Sequence, residues 1–599
     1  MDSTLTPGAR WGVSPGYDDI DGRWVPADPA TVARVLAAMG ATDGGPPDPP
    51  LVFAGVGQAL RLDEPAEVLT EDGATVPAEQ GLPGGLPAGY HRLRRLRDGA
   101  IRRLVVSPGR CHLAPELRAW GWAAQLYAVR SRRSWGIGDL ADLRELAAWA
   151  AGLGAAALLV NPLDAPLPVV PQERSPYYPS SRRYRNPLYI RVEEAPGAER
   201  LGERLAPLAR AARALNERRL INRDAVFDLK MQALRELHQA FSGSPDYDRY
   251  RSREGQDVDD YATFCALSEV HGVPWRDWPE DLKRPWSASV RRFREAEPGR
   301  VDFHRWLQWL LDRQLAEAGA ECGLVHDLPI GVQADGADSW AWPEAFAEGV
   351  SVGAPPDPFN RAGQDWAVPP FDPWRLRAAG YEPFIKTVRA AVRHGAGLRV
   401  DHVMGLFRLY WIPAGMGPEH GVYVRYPYGE LLDILALESQ RAGALVVGED
   451  LGTVQPWVRE ELGRRLVLSH RLLWFEEQPP ADYRPESLAA LGTHDLPTLA
   501  GVWEGSDSDP SIRERLRRYA GVSDDRTTAE VAEAAYRALA ASPSRLVAAS
   551  LEDALGVVER PNRPGTTWEW PNWSLALPET LEELCRDPRP ARLAELLRR

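Results

Sequence analysis

Beyond about residue 118, short apolar runs alternate with longer stretches whose apolar residues recur every three or four positions. That texture belongs to β/α units. Eight runs fit strands: AAQLYAV (123–129), AAALLVNPL (155–163), GLVHDLPIGV (323–332), GLRVDHV (397–403), ALVVGEDLG (444–452), RLLWFEE (471–477), LAALGTHD (488–495) and LVAASLEDA (546–554). Stretches such as DLADLRELAAWAAGLG and GELLDILALESQRAGA supply helical spacing between them. Eight parallel strands close a barrel, so the pattern predicts an α/β fold of the (β/α)8 TIM-barrel class. The interval 164–322 separates the second and third runs, carries amphipathic segments such as AVFDLKMQALRELHQAF, and reads as an inserted helical subdomain. Its Trp306 and Trp309, at helical spacing, are expected in the core.

The first 115 residues have a different pattern. Asp28 as N-cap, Pro29 at the first helical position, the stripe Val32, Val35, Leu36 and Met39, and Gly40 as stop predict one helix. LVFAGV, ALRLDEP, AEVLTEDG, YHRLRRL and IRRLVVSPG then follow as short β-like runs punctuated by Gly, Pro and Asp. They predict a small β-rich, sandwich-like domain over residues 1–115, leaving 116–599 to the barrel. The basic run from His91 reads as a hairpin turning at Asp98-Gly99 with solvated arginines.

Composition narrows the function. The chain has 599 residues, 44% apolar and 26% charged, with no apolar run long enough to span a bilayer. MDSTLTPGAR lacks the basic and apolar regions of a secretory signal. Cys111, Cys265, Cys322 and Cys585 lie far apart without C-x-x-C spacing, which argues against a zinc site and a disulfide framework and suits a reducing cytoplasm. A net charge of -13 opposes sequence-independent binding to nucleic acid or anionic membrane. No phosphate-binding G-x-x-x-x-G-K-[ST] is present, and GVGQAL is too short for a dinucleotide fingerprint. A neutral substrate, with no cofactor and no metal, fits best.

The candidate chemistry lies where the strands end. Asp401 closes the fourth run, Glu449 the fifth and Asp495 the seventh, and barrel enzymes work at the C-terminal ends of their strands. One acid beside a strand is usually an ion pair or a cap. Three acids at three strand ends fit glycoside cleavage, in which one carboxylate attacks and another group protonates the leaving oxygen.

RVDH (399–402), GEDLG (448–452) and THD (493–495) resemble the catalytic signatures of the α-amylase superfamily. SPYYPSSRRYRNPLYI (175–190), GVQADGADSWA (331–341), GAPPDPFNRAGQDWAVPPFD (353–372) and RPNRPGTTWEWPNW (560–573) are similar to its 4-α-glucanotransferase branch, glycoside hydrolase family 77. The resemblance spans about residue 120 to the end. It implies Asp401 as nucleophile, Arg399 holding that carboxylate ionised, Glu449 as general acid/base, and Asp495 with His494 gripping the hydroxyls of the reacting sugar. It further implies Tyr177 and Trp366 as flat faces for sugar rings. Ser175, Asp335, Asp357, Asn360, Gln364 and Asn572 are implied as substrate contacts, the 353–372 loop covering the glucan. His402 is expected to point the other way in an ideal strand, a packing role being as good a reading as substrate contact. The family pattern is departed from only slightly, by Ala367-Val368 after GQDW and by Gln333.

The resulting expectation is a cytoplasmic enzyme that cleaves an α-1,4-glucan, keeps one fragment on Asp401 and transfers it with retention to the 4-hydroxyl of another glucan. The rivals are an α-amylase-like hydrolase, which shares the three carboxylates, and a glucan-binding protein on an inactive barrel.

Overall fold

The computed structural model describes residues 6–599 apart from 20, 357–359, 453 and 508. It contains a closed eight-stranded barrel. The strands are β1 (Ala119–Ala124), β2 (Ala157–Val160), β3 (Gly323–Leu328), β4 (Gly397–Val400), β5 (Leu445–Gly448), β6 (Val467–Leu472), β7 (Ser487–Ala490) and β8 (Leu546–Ser550). Each lies beside its sequence neighbours around the barrel, and β8 closes on β1 in parallel register.

Six of the eight runs hold these strands, and two are displaced. β1 ends where AAQLYAV begins, because Leu126–Ala128 forms a 3-10 turn whose Leu126 N–H donates to the buried Asn161 Oδ1 at 2.7 Å. β6 lies upstream of most of RLLWFEE, where Phe475 and Glu476 N–H both return to the Leu472 carbonyl in a turn. Polar Ser469, His470 and Arg471 had concealed this strand among apolar neighbours.

The apolar positions explain the layers. Trp120 and Trp122 of β1 are buried, and Trp122 stacks on Trp149 of the helix Leu140–Gly152 at 5.8 Å. Gly121 between them allows the close approach of β2: a Cβ there would lie 2.3 Å from the Ala157 carbonyl oxygen. Asp139 caps that helix in a capping box with Asp142, and Arg191 bonds both carboxylates at 2.6 Å. The 164–322 insertion is largely helical, and its longest helix, Pro298–Gly319, buries Trp306 and Trp309 in the core it shares with Leu140–Gly152.

Two compact units emerge from the contacts. One comprises residues up to Leu113 with Trp342–Arg393 and Val400–Val467. It holds the predicted helix, Pro29–Ala38, and a five-stranded sheet in the order Leu51–Gly55, Ile101–Ser107, Gly89–Arg95, Ala66–Leu69, Thr75–Ala78. Gly89–Arg95 and Ile101–Ser107 form the hairpin that turns at Asp98-Gly99, where Gly99 has φ +72°. It also holds the four-stranded sheet Gln364–Val368, Val350–Ala354, Arg408–Pro413, Val422–Arg425. The other unit comprises Ala114–Ala341, His394–Arg399 and Leu468–Arg599.

Candidate active site

In the second unit the strand ends build an ionic cluster. Arg399, on β4, donates Nη1 to both oxygens of Asp327 on β3, at 2.7 and 2.8 Å. Tyr177 Oη donates to Asp327 Oδ2 at 2.5 Å and lies 3.4 Å from His494 Nδ1. The rings of Tyr177, His494 and Trp573 are mutual neighbours, with centroids 4.9 to 5.3 Å apart. Arg399 therefore has a partner that the sequence did not single out.

Asp495 follows β7 and is held from two sides: His494 Nε2 lies 3.4 Å from Oδ2, and Asn562 Nδ2 donates to Oδ1 at 2.7 Å. Burial works against its charge, but His494, Asn562 and Arg399 outweigh it and bring the carboxyl down to about 2. For His494, burial opposes the imidazolium, and the adjoining Asp495 overcomes that and raises its pKa. The pair is an ion pair whose Asp495 side chain is still 42% exposed, open to a ligand hydroxyl. His470, at the inner face of β6, is driven the other way: burial, Arg399 and His494 lower it to about 3. Asp327, Arg399, His470, His494 and Glu552 line one cavity of about 100 Å³.

In the first unit, Asp401 is the half-buried residue directly after β4. The strand stops there, so strand alternation does not govern His402, which takes a left-handed conformation with φ +44°. That turn aims the His402 N–H at Glu449 Oε2, at 3.0 Å. Leu451 N–H donates to Glu449 Oε1, also at 3.0 Å. Both carboxyl oxygens are thus fixed by backbone, and each keeps a lone-pair site for a proton. The His402 ring meets Trp366 edge-on at 5.4 Å, and Trp366 Nε1 donates to Gln364 Oε1 at 3.2 Å. Burial lowers the His402 pKa; Glu449 opposes that and Arg408 adds to it.

The remaining expected contacts are placed as follows. Asp335 is salt-bridged to Arg276 at 2.7 Å and is partly exposed. Ser175 Oγ accepts from Tyr177 N at 3.3 Å, so it shapes the turn that presents the tyrosine. Asn360 accepts from Gly363 N through its carbonyl, within the loop that leads to Gln364. Asp357 lies outside the described residues. Asn572 is used inside its own loop, accepting from Arg563 N and donating to Thr566, whereas Asn562 is the amide that reaches Asp495. Asp327, Asn562, His470 and Trp573 were missed. Asp327 carried a signal, an acid within the third apolar run, and Asn562 and Trp573 stand in the RPNRPGTTWEWPNW segment. Among the described residues, no group of three or more His, Cys, Asp or Glu is arranged to hold a metal ion, and no helix is long and apolar enough to cross a membrane.

Comparison with known proteins adds to this geometry. The glycoside hydrolase 77 model, described as 4-alpha-glucanotransferase, matches residues 124–580. A 4-alpha-glucanotransferase of Mycobacterium tuberculosis is 39% identical over 98% of this chain and 97% of its own. One from Haemophilus influenzae is 30% identical over 97% and 96%. The crystal structure of amylomaltase from Corynebacterium glutamicum, 32% identical, superposes with a TM-score of 0.87 over 99% of each chain.

Proposed function

Because this chain belongs to glycoside hydrolase family 77, the 4-alpha-glucanotransferases, we propose how its own residues divide the work of retaining transfer. Asp401 attacks C1 of the sugar at the cleaved bond while Glu449 gives its proton to the leaving oxygen. The departing fragment takes that proton, and a glucosyl ester remains on Asp401. Glu449, now ionised, removes the proton from the 4-hydroxyl of an incoming glucan; the alkoxide oxygen displaces Asp401, and the number of glycosidic bonds is conserved.

The observation that carries this reading is the His402 N–H bond to Glu449: the residue adjoining the proposed nucleophile fixes the proposed acid/base. The left-handed turn at His402 is the strained backbone that makes the bond, as functional sites often do. The ionised Asp495, braced by His494 and Asn562, is suited to accept hydroxyl hydrogen bonds that strengthen as positive charge develops at C1. Tyr177, held by Asp327, and Trp366, held against His402, offer flat faces to sugar rings. The substrates on this reading are neutral α-1,4-glucans, from maltooligosaccharides to starch or glycogen. Four unpaired cysteines, spread along the chain, support a cytoplasmic location.

Transfer must outrun water, and an acceptor held in line reaches effective molarities of about 10⁵ M or more. Incubation with pure maltotriose is the test. Glucose and a ladder of longer maltooligosaccharides should appear with almost no rise in total reducing ends. Reducing ends that climb with substrate loss, with no product longer than the donor, would make the protein a hydrolase and overturn the reading.

A further inference from the structure

Large apolar side chains exposed singly are ordinary on a protein surface. Tyr428 and Trp457 are not single. They are 38% and 48% exposed, their ring centroids lie 5.5 Å apart, and both rest on the buried Phe407. Phe407 stacks on Tyr428 at 5.0 Å with 23° between planes, and meets Trp457 edge-on at 5.7 Å. Among the described residues, no other two of the strongly exposed large aromatic side chains are in ring contact.

The backbone under these rings is rigid. Tyr428 opens the helix Tyr428–Ala442, with its N–H on the Tyr426 carbonyl, and Tyr426 N–H donates to the Phe407 carbonyl. Trp457 lies in the first turn of Pro456–Arg464, whose Arg459 bonds both the side chain and the carbonyl of the buried Asp450. Asp450 adjoins Glu449, and Phe407 follows the turn that begins at His402. Phe407 and Trp457 therefore ride on the chain segments that leave the proposed nucleophile and acid/base, and Tyr428 is tied to Phe407 through Tyr426. Fixed aromatic faces left half open suit sugar rings, whose C–H faces are apolar and whose edges are wet. Among the described residues no guanidinium is found over either ring of the pair, unlike Tyr423, which Arg408 covers at 4.1 Å.

We propose that Tyr428 and Trp457, seated on Phe407, are a stacking platform for glucan units remote from the cleaved bond, so that the enzyme grips long α-1,4-glucan chains better than short ones. The proposal rests on the transferase reading above but makes a separate prediction. A platform for remote units leaves the reacting sugar to other residues, so maltotriose turnover should be the same within about twofold in Trp457→Ala and Tyr428→Ala. With maltoheptaose or amylose the KM should rise about five- to tenfold at unchanged kcat, the loss of one stacking contact. Trp457→Phe should recover most of it.

Two pairings separate the roles of the long chain. A long donor with glucose as acceptor reads the donor segment, and maltotriose as donor with a long acceptor reads the other. An effect in either supports the platform. Unchanged KM for every chain length overturns it, as do equal losses with maltotriose and amylose in folded variants. A wild-type protein that fails to disproportionate maltotriose would instead strike at the transferase reading itself.

Discussion

Glu449 is gripped at both oxygens by backbone N–H groups, and a glutamine there must turn its NH₂ toward one of those donors. Glu449→Gln should therefore lose about 1 kcal/mol of stability and, with ordinary glucans, orders of magnitude in turnover. With a glucosyl fluoride donor, whose leaving group needs no proton, the loss in the first step should be much smaller; equal losses with both donors would remove Glu449 from the acid role. A second expectation concerns His494. Its folded pKa lies above the ordinary 6.5 because of Asp495, so its contribution to stability is complete below that value and fades as pH rises through the raised one. Asp495 is depressed to about 2. Its contribution is complete above the ordinary carboxylate value near 4 and is lost as pH falls toward 2. Histidine NMR titration should find His494 above 6.5 in the native protein and lower in Asp495→Asn. A titration indifferent to that substitution would deny the ion pair. At this scale the sequence displayed the three acids, because each sits at the end of an apolar run. It could not display that Asn562 reaches Asp495 from 67 residues away, or that Asp327 engages Arg399.

At the scale of elements, apolar periodicity located strands wherever the run was short and bounded, as in β3, β4, β5, β7 and β8. It slid at β1 and β6, where a turn carrying apolar residues adjoins the strand. Capping was legible too: Asp28 and Pro29 begin Pro29–Ala38 as their residue types require. Asp139 shows what a cap can become in tertiary context. It caps Leu140–Gly152 and is also one of two buried carboxylates neutralising the buried Arg191. Asp139→Ala should cost about 3–5 kcal/mol, since removing one partner leaves a buried ion network unbalanced. Thermal unfolding should shift down accordingly, while kcat at low temperature stays near native. A change below about 1 kcal/mol would mean that Asp142 alone can hold the guanidinium.

At the scale of the whole molecule, residues up to Leu113 share a compact unit with the segments that carry Asp401 and Glu449. The contacts are specific: Trp374 Nε1 donates to the Trp11 carbonyl at 3.0 Å, Thr31 Oγ1 to His420 O at 2.8 Å, and Arg103 pairs with Glu382 at 2.7 Å. His112 N–H donates to Ser439 Oγ at 2.8 Å. A chain beginning near residue 116 loses all of these and bares the apolar surface they covered, so it should melt well below the full-length protein. Any fraction that stays folded should keep measurable maltotriose transfer; a folded truncation inert in the chemical step would mean that the N-terminal segment supplies part of the site. The sequence by itself determined the barrel class, the three strand-end acids and the family, because strand periodicity, caps and motif spacing are local properties written in consecutive residues. Only the tertiary structure decided which partner each charge takes, that His402 leaves the strand to hold Glu449, and that Asn562 rather than Asn572 reaches Asp495. Hydrogen bonds and ion pairs act over about 3 Å in space, a distance that separation along the chain does not encode.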